Sequence, residues 1–583
     1  MIWPATGALL AALLVGGAVA GPADARRPNI VLVVTDDQRA DATDRMPRLK
    51  FRLAARGVRF ANAFVTDPLC CPARASLLTG RSPRGTGVWS NRAPFGAWDA
   101  FRSSGAERRT IAVALRRSGY RTALVGKYLN AYRGTTIPPG WSVWNAFSSG
   151  WTYYGYTLNL DGRLVRYGGS PGDYSTDVLA ARAVDFVRTS RAPFFLYFAP
   201  AAAHWPATPA PRHAGRRLRL PPFAPPSLRR QSLRGKPRYV RRGARALLPR
   251  GRRFRGRQYR TLLAVDEAVD RILEAIERRG QLRNTLVLFT SDNGVMWGEH
   301  RMLAARKAVP YESSIRVPLL VRFDRAVARA RTERALVTNL DVAATIAAAA
   351  GVRHAGEGRS LVPFLRDREP RGGWRERVLV ESVGGESRSD PIPAYCAVRS
   401  KAELYVLYGT NEEELYDLGE DPYQLENLAR RSEHRPEVAA GREAVGRLCF
   451  PPPPGFEPAA LCTLRGTRGA NRLVGGDGDD VVCPRGGRDR VRTGAGRDTV
   501  FSGARGVEAQ GAVTFRPAGR GPEGARIRLG AGADRAFVLN GLRDVVSCGA
   551  GRDRVIGDRF DVVARDCEVV RRAPRVFDGG GRG

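Results

Sequence analysis

Beyond its opening segment the chain has no apolar run long enough to cross a bilayer, which excludes helical membrane spans there. The opening run itself, Gly7–Ala20, is too short to span comfortably. It ends in Ala18-Val19-Ala20, an A-x-A cleavage pattern. Residues 1–25 are therefore expected to be a signal peptide and the protein to be secreted. Lysine is scarce as well: the formal charge of +38, from 95 basic and 57 acidic residues, is carried almost wholly by arginine. Acid is missing altogether between Arg212 and Arg260, where Arg216-Arg217, Arg229-Arg230, Arg241-Arg242 and Arg252-Arg253 recur. Such a field attracts polyanions. Aromatics are sparse in it (Phe223, Tyr239, Phe254, Tyr259) and no nucleic-acid fold motif is visible, so specific nucleic-acid binding is not expected. Polyanionic glycans remain as a partner for this stretch, beside the plain reading of a solvated basic loop.

At 583 residues the chain is too long for one ordinary domain. Asn29–Thr35 is a continuous apolar run bounded by polar residues, the pattern of a strand buried on both faces. Phe194–Phe198 and Thr285–Thr290 read the same way, with helical patterns at Thr110–Ser118 and Tyr259–Arg279 between the strands. This alternation predicts a doubly wound α/β domain over 26–375, with chemistry at the C-terminal ends of the strands. Residues 376–450 change character: short strands (Arg377–Val383, Tyr395–Arg399, Ala402–Tyr408) precede a helix near His434–Arg447, which predicts a small α+β subdomain. The prolines from Pro451 predict a linker over 451–460, and residues 461–583 a separate repeat tail.

The most informative stretch is Thr66-Asp-Pro-Leu-Cys-Cys-Pro-Ala-Arg-Ala-Ser-Leu-Leu-Thr-Gly-Arg81. Pro72 suits the first turn of a helix. Cys70 then lies at a helix N-terminus, where backbone N–H groups favour an anion, and Arg74 one turn on faces the same anion. A thiolate phosphatase needs an arginine six residues after its cysteine; Ser76 and Leu77 stand there instead, which excludes it. The C-x-P-x-R run with its trailing L-T-G-R resembles the signature of type I sulfatases, with Ala73 where many members have serine. The resemblance implies an alkaline-phosphatase-like α/β fold and conversion of Cys70, not Cys71, to formylglycine by a formylglycine-generating enzyme. The hydrated aldehyde is then the nucleophile. With Cys70 modified and Cys71 in the helix, Cys396, Cys449, Cys462, Cys483, Cys548 and Cys567 remain; an even set predicts disulfides, and of the roughly 15 connectivities the sequence leaves open, pairing in sequence order is the one taken as the expectation.

Thr35 is followed by Asp36-Asp37 and Ser291 by Asp292-Asn293, oxygen ligands suited to Ca²⁺ or Mg²⁺. The resemblance implies that these four hold the metal, with modified Cys70 as a further ligand. It also implies that Arg74, Lys127 and Lys307 bind sulfate, that Asp292 helps to deprotonate the nucleophile and that His204, alone or with Lys307, protonates the leaving oxygen. Gly126-Lys127-Tyr128-Leu129 departs from the Gly-Lys-Trp-His of many arylsulfatases, so the histidine that assists sulfate release is absent. Gly-Lys-Tyr-Leu-Asn, Pro138-Pro139-Gly140-Trp141, Leu262-Leu263-Ala264-Val265-Asp266 and the run from Lys307 to Glu312 resemble the N-acetylglucosamine-6-sulfatase and heparan endosulfatase branch. The implied substrates are sulfated sugars of the glycosaminoglycan kind. A phosphodiesterase or phosphonate monoester hydrolase using the same site is the alternative enzyme, and a non-catalytic polyanion-binding protein the alternative outside enzymes.

After the prolines, Gly475-Gly-Asp-Gly-Asp-Asp480, Gly486-Gly-Arg-Asp489 and Gly494-Ala-Gly-Arg-Asp498 recur, and the pattern returns before Asp534 and Asp553. This resembles the RTX nonapeptide repeats, which stack as a parallel β-roll and bind Ca²⁺ between turns. Asp480, Asp489 and Asp498 are the implied calcium ligands. Arginine fills slots often held by an acid, so a degenerate roll stapled by Cys548 and Cys567 stands beside the calcium reading.

Overall fold

The first strand, Asn29–Thr35, is buried along its whole length. Ile30, Leu32 and Val34 enter one hydrophobic cluster; Val31 and Val33 enter another. A strand that must satisfy an apolar layer on each face cannot alternate with polar residues, hence the unbroken run. In this computed structural model residues 27–572 are described, apart from 94, 150, 192, 230–232, 244–247, 386–391, 450–451, 457–458, 468, 485–487, 502–522, 539–542 and 558–560. The expected signal peptide lies outside the described residues.

The central sheet has ten strands: β1 (Asn29–Thr35), β2 (Val58–Phe64), β3 (Arg121–Gly126), β4 (Val143–Ser149), β5 (Thr157–Leu160), β6 (Arg163–Arg166), β7 (Phe194–Ala199), β8 (Thr285–Ser291), β9 (Leu319–Arg322) and β10 (Arg331–Thr338). Their spatial order is β10-β2-β9-β8-β1-β7-β3-β4-β5-β6. β8, β1, β7, β3 and β4 run parallel to one another. β9 runs antiparallel to β2 and β8, and β5 and β6 close one edge as an antiparallel hairpin. The sheet is therefore mixed, with a parallel centre. Leu77, Leu78, Leu115 and Ile346 cover one face; Leu179, Val187, Leu262, Val265 and Ile272 cover the other. The last three belong to a long helix, Leu248–Glu277, which starts well before the predicted Tyr259. This is the expected α/β architecture of the alkaline-phosphatase-like kind.

A second sheet of four antiparallel strands follows: β11 (Val378–Ser382), β12 (Tyr395–Arg399), β13 (Glu403–Tyr408) and β14 (Glu413–Asp417). Val438, Ala444 and Val445 of the helix Arg435–Leu448 pack on one face of it. Its other face, with Tyr395, Val406, Tyr408 and Tyr416, packs on Met296, Val309, Tyr311 and Ile315 beside the central sheet. The proline stretch expected to act as a linker is itself packed, because Phe456 is 2% exposed and joins the cluster around Cys396 and Cys449.

The tail forms two stacked parallel sheets of six and five short strands. Leu464 pairs with Val482 and Val481 with Thr499, so two nonapeptides make one full turn. Val482, Val491, Val500, Val546 and Val555 fill the space between the sheets. The disulfides join Cys396 to Cys449, Cys462 to Cys483 and Cys548 to Cys567, the expected sequential pairing.

Candidate active site

β1 and β8 are parallel neighbours in register, Thr35 beside Ser291. Asp36-Asp37 and Asp292-Asn293 therefore leave the sheet side by side at its C-terminal edge, where open α/β sheets place their ligands. Asp37 has a left-handed φ of 60°. Two contacts hold it there: its N–H donates to Asp292 Oδ1 at 3.1 Å, and its carbonyl accepts from Gln258 Nε2 at 3.1 Å. Cys70 is the first residue of the buried helix Cys70–Thr79, with Leu69 extended ahead of it. β3 ends at Gly126, whose φ is +122° and where a Cβ would meet the Ala199 carbonyl oxygen at 2.0 Å. Only glycine lets the two strands close there, and the chain then delivers Lys127. His204 lies beyond β7, its N–H donating to the Ala201 carbonyl.

The nine residues expected at the site converge. Lys127 Nζ donates to Asp36 Oδ2 at 2.5 Å; Lys307 Nζ donates to Asp37 Oδ1 at 2.7 Å and lies 2.9 Å from Cys70 Sγ. Cys70 Sγ is 3.5 Å from Asp36 Oδ1 and 4.0 Å from Asp37 Oδ1. Arg74 Nε donates to Asp292 Oδ2 at 2.7 Å, and Asn293 Nδ2 to Asp37 Oδ1 at 2.6 Å. His204 Nε2 stands 3.6 Å from Asp37 Oδ2. Its Nδ1 is 2.7 Å from the Trp205 carbonyl oxygen. A carbonyl only accepts, so Nδ1 carries the proton, and Nε2 is the position that gains or loses one.

Burial would raise the Asp36 carboxyl, but Lys127, His204 and Arg74 hold it down at about 2. Asp37 is likewise lowered against burial by Lys307 and His204. Burial pulls His204 below its ordinary range against the pull of Asp37 and Asp36. Burial pushes the Cys70 thiol well up despite Lys127 and Lys307, which keeps it a poor nucleophile as a thiol.

Among the nine site residues, two buried atoms lack hydrogen-bond partners: Asn293 Oδ1, an acceptor, and Arg74 NH2, a donor whose nearest carboxylate oxygen, Asp36 Oδ2, is 3.7 Å away. The first suits a cation and the second an anion. Ligand atoms of Asp36, Asp37, Cys70 and Asp292 all lie within 4.8 Å of one another. This oxygen-rich set fits a hard divalent cation. Three carboxyl groups here face Arg74, Lys127 and Lys307, so a divalent ion would leave the pocket positive towards an anionic ester.

Sequence reasoning missed Gln258 and Trp151. Gln258, 2% exposed, also donates to the Ala203 carbonyl at 2.9 Å and so ties the Asp37 and His204 loops together. The Trp151 ring lies under Lys127 Nζ at 3.7 Å and edge-on to His204 at 4.4 Å. Neither sits in a motif; the only sequence signal is a polar glutamine on the apolar face of a long helix. Tyr128 and Leu129, where many arylsulfatases place Trp-His, are core residues, Tyr128 OH bonding Glu107 at 3.1 Å.

In the basic stretch Arg241, Arg242, Arg252 and Arg253 are exposed, whereas Arg212 is paired with Asp177 and Glu267. The tail aspartates cap backbone between turns: Asp489 Oδ1 accepts from Asn471 N and Asp498 Oδ1 from Asp480 N, each at 2.8 Å. Asp480 accepts from Gly476 N at 2.9 Å and from the Thr463 hydroxyl at 2.8 Å.

Residues 28–352 match the family model for sulfatases, 298–445 that for the N-sulphoglucosamine sulphohydrolase C-terminal region, and 463–504 RTX calcium-binding nonapeptide repeats in two overlapping segments. The chain is 32% identical to goat (Capra hircus) N-acetylglucosamine-6-sulfatase over 71% of its length and 82% of that protein. It is 33% identical to the Drosophila melanogaster extracellular sulfatase SULF-1 homolog over 65% of its length, but only 35% of that longer protein. Among solved structures, one described as a complex with its substrate D-glucosamine-2-N,6-O-disulfate superposes with a TM-score of 0.62 at 24% identity, over 72% of this chain and 97% of that one. A phosphonate monoester hydrolase from Silicibacter pomeroyi superposes at 0.59 with 20% identity, over 75% and 97%. These two likenesses concern the fold. The chain belongs to the sulfatase family of sulfuric ester hydrolases.

Proposed function

We propose that this is a secreted sulfatase that hydrolyses the 6-sulfate of N-acetylglucosamine in sulfated sugars, using formylglycine made from Cys70 and a Ca²⁺ or Mg²⁺ ion. The observation that carries the reading is the ring around Cys70 Sγ: carboxylates on one side, Lys307 at 2.9 Å, and Arg74, Lys127 and His204 close by. The sugar is chosen on the names of relatives such as the goat enzyme, and secretion on the apolar start of the chain and an extracellular relative.

Asp36, Asp37, Asp292 and Asn293, with residue 70, would hold the metal, which supplies charge neutralisation and polarisation of oxygens when bound. The hydrated aldehyde supplies an oxygen nucleophile with a second hydroxyl on the same carbon, an exit that a thiol or serine lacks. Arg74, Lys127 and Lys307 bind the sulfate oxygens and stabilise charge that grows during transfer. Asp292 draws the proton from the attacking hydroxyl. His204 Nε2 gives a proton to the departing sugar oxygen. Trp151 packs against Lys127 and His204 and fixes both.

Two measurements test this. The mass of the peptide across Cys70 should match the aldehyde, not the thiol. Turnover should favour N-acetylglucosamine-6-sulfate over a phenyl phosphonate or a phosphate diester. An unmodified thiol in active protein, or the reverse substrate order, rejects the reading, the latter in favour of a phosphonate or phosphodiester hydrolase.

A further inference from the structure

Burial marks where the pocket opens. Asp36, Cys70, Arg74, Lys127 and Asp292 are at most 1% exposed. Of the converging side chains, His204 and Lys307 reach solvent most, at 21% and 16%. Substrate therefore enters past His204.

The next residue, Trp205, turns its indole outward and is 54% exposed. It leans on Phe254, ring centroids 5.4 Å apart at 51°. Phe254 is a buried residue of the helix Leu248–Glu277. Positions three and four residues away share its side of the helix. One of these is Gln258, which holds the Asp37 and Ala203 carbonyls and so fixes this side of the helix against the pocket. The others include Arg250 and Arg257, both exposed. An exposed aromatic ring thus follows the residue at the pocket mouth and leans on a helix that carries exposed arginines one turn before and one turn after the contact.

Beside a polar pocket the exposed indole offers a flat apolar face with a polar N–H at its edge. Flanking guanidiniums add a demand for anionic oxygens in bidentate reach. A pyranose ring carrying sulfates meets both requirements: its C–H face packs on an aromatic ring, and its sulfates meet the arginines. Free nucleic acid would meet the second through phosphates but needs splayed bases to meet the first.

We propose that Trp205, Arg250 and Arg257 form a subsite for the sugar residue adjoining the one that bears the reacting sulfate. This rests on the sulfatase reading above. The subsite makes the protein prefer sulfated oligosaccharides to the monosaccharide sulfate, through contacts the monosaccharide never makes.

Calorimetric binding on Cys70→Ala protein, which cannot turn over, separates this inference from the reading beneath it. A 6-sulfated glucosamine tetrasaccharide should bind Trp205→Ala about fivefold to tenfold more weakly, the usual worth of an aromatic contact. Binding of glucosamine-6-sulfate should change by less than about twofold, since it stops short of the indole. Trp205→Phe should restore most of the loss, and Arg250→Gln with Arg257→Gln should weaken the tetrasaccharide and flatten its salt dependence. Equal weakening of both ligands, no weakening of either, or a wild-type site that does not bind the tetrasaccharide overturns the subsite. Single-stranded DNA of matched charge bound more tightly than the tetrasaccharide overturns it in favour of nucleic acid. Failure of unmutated enzyme to hydrolyse the sugar sulfate, with Trp205-dependent binding intact, rejects the sulfatase reading and spares the subsite.

Discussion

Two adjacent cysteines open the same helix and meet opposite environments. Cys70 Sγ faces Lys307, Asp36 and Asp37, whereas Cys71 belongs to the apolar cluster under the sheet. Cys70→Ser should therefore abolish turnover while leaving the melting temperature close to that of the parent, because the buried volume hardly changes. Cys71→Ala should keep substantial activity and lose only about 1 kcal/mol of stability through a small cavity. Steady-state rates and thermal melts on the two variants check this, and swapped effects mean the nucleophile is Cys71. At this scale the sequence was legible wherever chemistry fixes spacing. Cys70 and Arg74 sit one helical turn apart, and the oxygen-ligand pairs Asp36-Asp37 and Asp292-Asn293 follow strands that must be buried. Gln258 was illegible because it acts through main-chain carbonyls of Asp37 and Ala203, and no spacing rule tells a glutamine which carbonyl it will meet.

Among the elements, the parallel centre was legible because each strand carries an apolar layer on both faces. The edge hairpin of β5 and β6 was overlooked, although Asp161-Gly162 between them, both at positive φ, is a standard two-residue hairpin turn. β14 was overlooked for a different reason. Glu413-Glu-Leu-Tyr-Asp417 reads as polar, yet Glu414 is buried and accepts from the Tyr311, Tyr408 and Tyr416 hydroxyls, partners distant or invisible in the local pattern. In the roll, Asp534 Oδ1 caps Asp498 N and Asp553 Oδ1 caps Asp534 N, stacking like charges turn upon turn. Burial raises all three carboxyls, Asp534 to about 6 from an ordinary 3.8. The folded roll thus binds protons more readily than the unfolded chain. The sign follows: this contribution to stability is fully present below about pH 3.8 and is lost as pH rises through about 6. Hydrogen exchange on the full chain should show tail amides better protected at pH 5 than at pH 7.5; the reverse order would sink the ladder as its cause. Ca²⁺ added at pH 7.5 tests the cation reading by the same measure, protection marking a calcium roll and its absence a purely capping one.

For the molecule as a whole, the arginine-rich stretch is not a free arm. Lys236 within it is buried against the second sheet, its Nζ meeting Tyr416 and Gln424, with Glu414 Oε1 at 3.6 Å. Burial draws that ammonium down to about 8 against the pull of Glu414. The stretch therefore clamps the catalytic core to the C-terminal sheet while its exposed arginines face outward. The tail joins the same sheet at a definable seam. Phe456 fills the cluster around Cys396 and Cys449, Ala460 and Leu461 pack beside it, and Ala460 N donates to Asn411 Oδ1 at 3.0 Å. Every residue of the candidate site precedes the seam. A chain ending at Leu461 should thus keep its turnover and the melting temperature of its catalytic part. It removes the roll without opening any core of the sheet. A chain ending at Pro454 should lose about 1.5–3 kcal/mol, since the Phe456 ring leaves a buried apolar site. Denaturant melts and steady-state rates on the two truncations read this difference. Equal stability of the two would mean that Phe456 adds nothing to the second sheet, and lost turnover in the longer one would make the roll part of the catalytic machinery.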